Sequence, residues 1–592
     1  MGRIKRILKL IFRNIYVFRT DYIRVILISK MTELIIVIPA ISILFRFTLD
    51  SLNVKAVTEQ NIGSLITHPL MLFVLSIVIL IILLFIYYEM GFYMLLAYYQ
   101  QRQIPYTLTL IWRRLNKKVL YFLSLQSLLL FLYIVLLIPL ISSFLPLTIT
   151  KNLEVPRFIV DELLNSTEGK LLYYAFIVVI FGISLRLIFT LPFFVVNHWM
   201  TVLEALKESL KFSNRKTLET IAMLLLVFVI YTVILTTVLF IIFMPLFIID
   251  EFLPRYGHVL AAFTLTAAQG AIFMMFGLLQ SMFSQVLIFV AFRLTKLKPI
   301  AHRDKGFHRG VMQWTYLLAI YAFFLWSGIN YLNIAQTIYE PETKIIGHRG
   351  FLDKGVENTI SSLQEAAKAG SDLVEIDIQQ TKDGEFVVFH DKTLRRLAGR
   401  GENVYNMTLE ELMDVTVYSD GNSDKIPSLD QMLEESEKLK IKLLIEIKTH
   451  GYETDDFVER LVTKLEDYNS IDIHYIQSLE YPLAVAINEY EPRLRVGSVH
   501  AVAIGSLPNY GLDFVAIEQS FVTSNLIAQA KKQDIEIFVW TVNTIASIQH
   551  FLIENVDGII TNYPDISYVL RDELEENKHF LRRVWNKINI IF

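Results

Sequence analysis

The sequence predicts an α-helical multi-span membrane domain followed by a (β/α)8 TIM barrel. Three observations carry this. Hydrophobic residues make up 54% of the 592 and charged ones only 19%, a balance of membrane proteins rather than soluble ones. Apolar runs long enough to cross a bilayer fill the first 335 residues. After Thr343, short strand-like runs alternate with helical ones, the pattern of βα units.

A spanning helix needs about 20 apolar residues. About seven runs meet that length, near Met31–Leu49, Pro69–Leu96, Val119–Ile149, Leu171–Val196, Leu218–Ile249, His258–Phe292 and Val311–Leu332. The first begins late for a signal peptide and is followed by no small-residue cleavage site, so it reads as a retained anchor. Cations cluster in alternate loops. They precede the first run (Arg3 to Arg24) and follow the second (Arg102 to Lys118), the fourth (Lys207 to Lys216) and the sixth (Arg293 to Arg309). The positive-inside rule then makes the N-terminus cytoplasmic. An odd number of spans puts everything after Leu332 outside the cell, in a multi-pass membrane protein. Ile4–Phe18 and Val202–Phe212 are amphipathic, fitting either the inner interface or extensions of neighbouring helices. Arg46, Glu89 and Arg186 lie within or near the edges of spans, where charge is costly. Glu89 and Arg186 fall at similar depth, and a structural ion pair is favoured over a transport or lipid-headgroup role.

The net charge of −3 says little, because most carboxylates lie after Glu340. The cations sit in short loops, so a nucleic-acid partner has no support. The absence of cysteine excludes disulfides, thiolate metal sites and cysteine nucleophiles.

Eight strands are expected: Lys344–Gly347, Leu373–Ile378, Lys442–Ile447, Ile473–Gln477, Leu494–Ser498, Phe514–Ile517, Ile537–Thr541 and Gly558–Thr561. Their extent matches a (β/α)8 barrel. An added hairpin turns at Thr381-Lys382-Asp383-Gly384 and returns along Glu385–His390; counted as a barrel strand, it would make nine. The domains are thus 1–335 (membrane), 343–570 (barrel) and 571–592, an amphipathic tail suited to the membrane surface or to the barrel.

Barrel active sites lie at the C-terminal ends of the strands. His348 and Arg349 end the first strand. Glu375 and Asp377, two apart, face one side of the second, and Glu446 and Lys448 repeat the arrangement on the third. Three converging carboxylates repel one another unless a cation sits between them. All-oxygen donors favour a hard ion, Ca2+ or Mg2+; an ion-pair network with Arg349 and Lys448 is the plainer alternative. His348 and His390 form an acid–base pair suited to cutting a phosphodiester, with either assignment open. Arg349 and Lys448 suit phosphate oxygens. Glu357-Asn358-Thr359 opens a helix at Ile360, where capping and anion binding are both open. Trp540 is either an apolar wall for glycerol carbons or core.

Ile346-Gly347-His348-Arg349-Gly350, Glu357-Asn358-Thr359, Glu375-Ile376-Asp377, the Thr381–Gly384 turn, His390-Asp391, Glu446-Ile447-Lys448, Trp540-Thr541-Val542-Asn543 and Gly558–Pro564 together resemble the glycerophosphodiester phosphodiesterase family. The resemblance covers roughly Lys344–Leu570. The N-terminal part resembles the membrane domain fused to some bacterial members. It implies metal-dependent hydrolysis of glycerophosphodiesters to sn-glycerol 3-phosphate and an alcohol. Glu375, Asp377 and Glu446 would hold the metal, and His348 and His390 would be acid and base. The substrate's glycerol 2-hydroxyl would attack first, giving a cyclic phosphate that water opens. Gln477-Ser478 stands where many members have Ser-Phe, and the stretch from His390 to Leu429 is short; both bear on headgroup choice. The implied partners are membrane lipids and a glycerophosphodiester or a glycerophosphate polymer such as lipoteichoic acid. An alternative, prompted by more spans than anchoring needs, is a lipid or glycerophosphodiester transporter or sensor with an accessory barrel. Headgroup and oligomeric state are not set by the sequence.

Overall fold

The structure, a computed structural model, describes residues 2–144, 157–164, 167–214, 216–252, 256–292, 309–335, 341–508, 511–576 and 580–589. The cation-rich segment 293–308, the end of the expected third span (145–149) and the Phe592 end of the tail lie outside them.

Among the described residues, six helices are long and apolar enough to cross a membrane: Arg19–Ser51, Pro69–Arg102, Thr167–Val196, Thr217–Ile248, Gly257–Phe292 and Leu317–Ala335. The expected third span departs from this pattern. Leu108–Leu123 and Gln126–Ile138 meet at a bend of 101°, and counting the pair as one crossing makes seven. The run from Val119 starts as a short 3-10 turn, Val119–Leu123, that ends at extended Ser124. Both amphipathic segments form separate helices, Gly2–Val17 and Val202–Ser213. The second is closed by a Thr201–Glu204 capping box, which satisfies two N-terminal donors and marks a true helix start.

Glu89 and Arg186 do not pair. Glu89 lies 3.1 Å from Lys30, which also meets Glu33 at 2.7 Å. Arg186 donates to Ser213 Oγ (3.0 Å) and to the carbonyl of Leu210 (2.8 Å). Equal depth does not make two helix positions face each other, and each charge finds its partner on the face it presents.

The loop after the first span holds a short strand, β1 (Ala56–Thr58). The barrel follows with β2 (Lys344–Gly347), β3 (Leu373–Gln380), the hairpin return β4 (Phe386–Val388), a small hairpin of β5 (Thr416–Ser419) and β6 (Asn422–Lys425), β7 (Lys442–Ile447), β8 (Tyr475–Ser478), β9 (Arg495–His500), β10 (Ala503–Gly505), β11 (Phe514–Glu518), β12 (Glu536–Trp540) and β13 (Gly558–Thr561). Eight parallel strands run β2-β3-β7-β8-β9-β11-β12-β13, and β13 pairs with β2 to close the barrel. β4 pairs antiparallel with β3, so the added hairpin lies outside the count of eight. Ile346, Leu373, Leu444, Tyr475, Val499, Phe514, Ala516, Phe538 and Ile560 fill the interior as one buried cluster.

Among the described residues, barrel and membrane domain meet in two regions. β1 pairs antiparallel with β10. The tail helix Phe580–Asn589 packs Phe580, Val584 and Ile588 against Phe243, Leu246, Ala261 and Leu265 of two spans. The tail therefore seats its apolar face on the ends of spanning helices, while Lys587 reaches Glu554 of the barrel at 3.5 Å.

Candidate active site

The strand ladder brings the polar residues together. Leu373, Glu375, Asp377 and Gln379 alternate along β3 and share one face, and Leu373 belongs to the interior cluster. Asp377 is the register partner of Glu446 on β7, and Glu446 that of Gln477 on β8. Glu375, Asp377 and Glu446 are all buried, and each offers a carboxylate oxygen within 4.8 Å of the others. Such an all-oxygen donor set fits a hard divalent cation. Burial, Asp377 and Glu446 together push the Glu375 carboxyl well up. Burial acts the same way on Asp377, but Lys448, His390 and Arg349 hold it far below the usual carboxylate range. Lys448 Nζ lies 3.3 Å from Asp377 and pairs closely with Glu446. Gln477 donates to Glu446 Oε2 at 2.8 Å. That residue, one of the two departures from the family pattern, therefore touches the carboxylate cluster.

The turn after β2 sets His348 and Arg349. Arg349 takes a left-handed backbone (φ 55°), and Gly350 follows at φ 94°, where a side chain would overlap Ser362. The turn aims the Arg349 amide at Glu375 (2.8 Å) and its guanidinium at Glu357 (3.0 Å) and Asp377 (3.3 Å). Asn358 clamps Asp377 twice, donating to its carboxylate (2.8 Å) and accepting from its amide (2.9 Å). Helix Ile360–Lys368 is capped by Thr359 and Ser362. Glu357 is thus left for the ion pairs, which hold it at about 2 against its burial.

The two histidines have different partners. His348 Nδ1 lies 2.7 Å from Asn562 Oδ1, after β13. Asn562 is fixed in turn by its amide, which donates to Asn543 after β12 (2.9 Å). Burial and Arg349 push His348 down to about 3. His390 Nδ1 lies 2.9 Å from the Asp391 carboxylate. Gln379 donates to the carbonyls of Phe389 and Asp391 (2.7 and 2.9 Å), holding that segment against β3. Trp540 ends β12 and packs, partly buried, on the interior cluster.

The sequence reading missed Arg396. Its guanidinium spans Glu357 (2.6 and 2.7 Å) and Asp391 (both 2.9 Å), so a charged chain runs Arg349–Glu357–Arg396–Asp391–His390. Arg396 lies in a one-turn helix, Arg395–Ala398, too short to leave a periodic signal. Gln379 and Asn562 were also missed as site residues, though Asn562 lay within a quoted motif.

Residues 8–326 match the family described as the membrane domain of glycerophosphoryl diester phosphodiesterase, and residues 348–566 match the glycerophosphoryl diester phosphodiesterase family. The Bacillus subtilis (strain 168) protein YhdW is 31% identical over 251 residues, covering 39% of this chain and 99% of YhdW. A glycerophosphodiester phosphodiesterase of Caldanaerobacter subterraneus subsp. tengcongensis is 28% identical over 232 residues, covering 38% of this chain and 96% of its own. Among solved structures, an Oleispira antarctica phosphodiesterase in complex with the product sn-glycerol-3-phosphate aligns with 22% identity over 39% of this chain and 96% of that one, at a TM-score of 0.36. The membrane-domain match alone spans more than half of the sequence and the second match takes in the whole site, so the chain belongs to the glycerophosphodiester phosphodiesterase family, as a member whose barrel is carried on a membrane domain.

Proposed function

We propose that this enzyme hydrolyses glycerophosphodiesters outside the cell, releasing sn-glycerol 3-phosphate and an alcohol. One observation carries the reading. Three buried carboxylates, two differently partnered histidines and two cations converge at the C-terminal ends of barrel strands.

Glu375, Asp377 and Glu446 would hold one divalent cation, Ca2+ or Mg2+. When bound, that ion supplies charge neutralisation for the phosphate and acidifies a hydroxyl beside it. Arg349 and Lys448 bind the phosphate oxygens and stabilise their charge. Trp540 walls the glycerol carbons. Asn562 is a neutral acceptor, so His348 carries its proton on Nδ1 and leaves Nε2 unprotonated for the substrate. His348 therefore takes the proton of the glycerol 2-hydroxyl as its oxygen attacks phosphorus. His390, oriented through Nδ1 by the Asp391 carboxylate, gives a proton to the departing alkoxide as the phosphorus–oxygen bond breaks. Water then opens the cyclic phosphate with the two roles exchanged.

The outward orientation has support from parity. β1 lies between the first and second spans and pairs with β10, so loop and barrel share a side. The chain must then cross an even number of times between Ser51 and Lys344. Six crossings result when the bent pair Leu108–Leu123 and Gln126–Ile138 counts as one. With the cationic N-terminus inside, the barrel is outside. Deacylated phospholipids, lysophospholipids and glycerophosphate chains of lipoteichoic acid are within reach there.

The test is release of glycerol 3-phosphate from glycerophosphodiesters and from lipoteichoic acid, with and without chelator, by intact and then lysed cells. Chelator-sensitive release by intact cells is the expected result. Release only after lysis overturns the orientation, and none in either case overturns the activity.

A further inference from the structure

The loop between the first two spans is built into the rim of the barrel. Glu59 follows β1. Its Oε1 lies 3.2 Å from Nδ1 of His500, and its Oε2 accepts the amide of Val502 at 3.2 Å. His500 is the last residue of β9, fully buried, with Nε2 2.9 Å from Ser498 Oγ. Gln60 donates to the carbonyl of Leu479, one residue past β8. Both contacts fall at the C-terminal ends of strands, the end that carries the site, on the side where β8 supports Glu446 through Gln477.

The loop is rigid on both sides. Asn61 closes it by accepting from the Thr58 amide and donating to the Ala56 carbonyl, each at 2.9 Å. Leu49, Val57, Leu65 and Met71 bury together, locking β1 onto the ends of two spans. From the barrel, Gly505 has φ 117°, and any side chain there would press on the Lys55 carbonyl and on Leu49. Exposed Leu479 and Ile504 flank the contact. The tail helix seats on two other spans, and Lys587 reaches Glu554 of the barrel at 3.5 Å. The barrel is therefore held at two points instead of swinging on the linker after Ala335.

We propose that Glu59 is a positioning residue, and that its loop fixes the carboxylate side of the barrel mouth at the bilayer surface for diesters whose alcohol is anchored in the membrane by an acyl chain. This rests on the phosphodiesterase reading above. A free diester reaches the mouth from any direction, whereas an anchored one arrives only along the surface. Orientation is then part of catalysis for the second substrate alone.

The test uses full-length protein in vesicles, with glycerophosphoglycerol as the soluble substrate and lysophosphatidylglycerol in the bilayer as the anchored one. Glu59→Ala should lower kcat/KM for the anchored substrate by about tenfold or more and leave the soluble one within about twofold. The chain has no cysteine, so Val57→Cys with Ile504→Cys, register partners across β1 and β10, gives a clean cross-link. Oxidising that pair in the Glu59→Ala background should restore activity on the anchored substrate. A parallel fall on both substrates, or no fall on either while cross-linking is lost, overturns the proposal. Wild-type protein that cleaves neither diester overturns the phosphodiesterase reading, and this inference with it.

Discussion

Asn562 and His348 are joined through Oδ1 and Nδ1 at 2.7 Å, a bond that fixes which ring nitrogen carries the proton. Asn562→Asp puts a carboxylate there and favours the imidazolium. The His348 pKa, about 3 in the wild type, then rises, and the acid limb of kcat/KM moves up by about one to two pH units. A pH–rate profile of the two proteins on a soluble diester checks this. An unmoved limb with normal activity removes His348 from the role of base.

Burial, with Asp377 and Glu446 beside it, pushes the Glu375 carboxyl well above the usual carboxylate range. Cation binding should therefore release a proton and tighten as pH rises. Calorimetry in buffers of different ionisation heat reads that proton directly. Glu375→Ala should abolish hydrolysis, by about 10³-fold or more, while barrel folding and membrane insertion persist. Chelation of the wild type should reproduce the loss and added divalent ion reverse it. Full activity in the variant would reject the carboxylate assignment.

Arg396 balances two carboxylates, buried Glu357 and half-buried Asp391. Arg396→Met leaves that part of the charged chain unmatched, which should cost about 3 kcal/mol of barrel stability. Activity should fall as well, because Asp391 no longer holds His390. Adding Glu357→Gln should recover part of the stability, since it removes one stranded charge. Thermal unfolding followed by barrel fluorescence separates the single variants from the double one.

His474 accepts the amide of Leu443 at 3.1 Å, and burial lowers it from 6.5 to about 4. The folded state thus binds its proton later than the unfolded one as pH falls. Stability is full above about 6.5 and declines down to about 4, by about 3 kcal/mol in all. His474→Gln should flatten that part of the pH–stability curve. An unchanged slope would assign the acid sensitivity to other groups.

All eight barrel strands were legible because each is a short run with an apolar centre buried on both faces, a pattern that survives without its neighbours. The shared face of Glu375 and Asp377 was legible because a spacing of two on a strand fixes it. Arg396 was not, because its role depends on a turn that brings it back across thirty-nine positions to Glu357. Glu59 escaped for a like reason: three residues of β1 carry no period. Hydropathy read Val119–Ile149 as one span, since it measures transfer to an apolar medium and is blind to the turn at Ser124. Depth likewise suggested Glu89 with Arg186, but the azimuth around each helix chose Lys30 for the former.

Glu59 and His500 meet across 441 positions of chain. Glu59 is made, and its two spans can be inserted, long before His500 exists. The barrel side of the contact comes last and must first reach the side where Glu59 waits. Until then the amide and carbonyl edge of β1 stays open to water. A docked loop therefore reports that the chain has been made at least through Gly505 and that the barrel has reached the side of the loop.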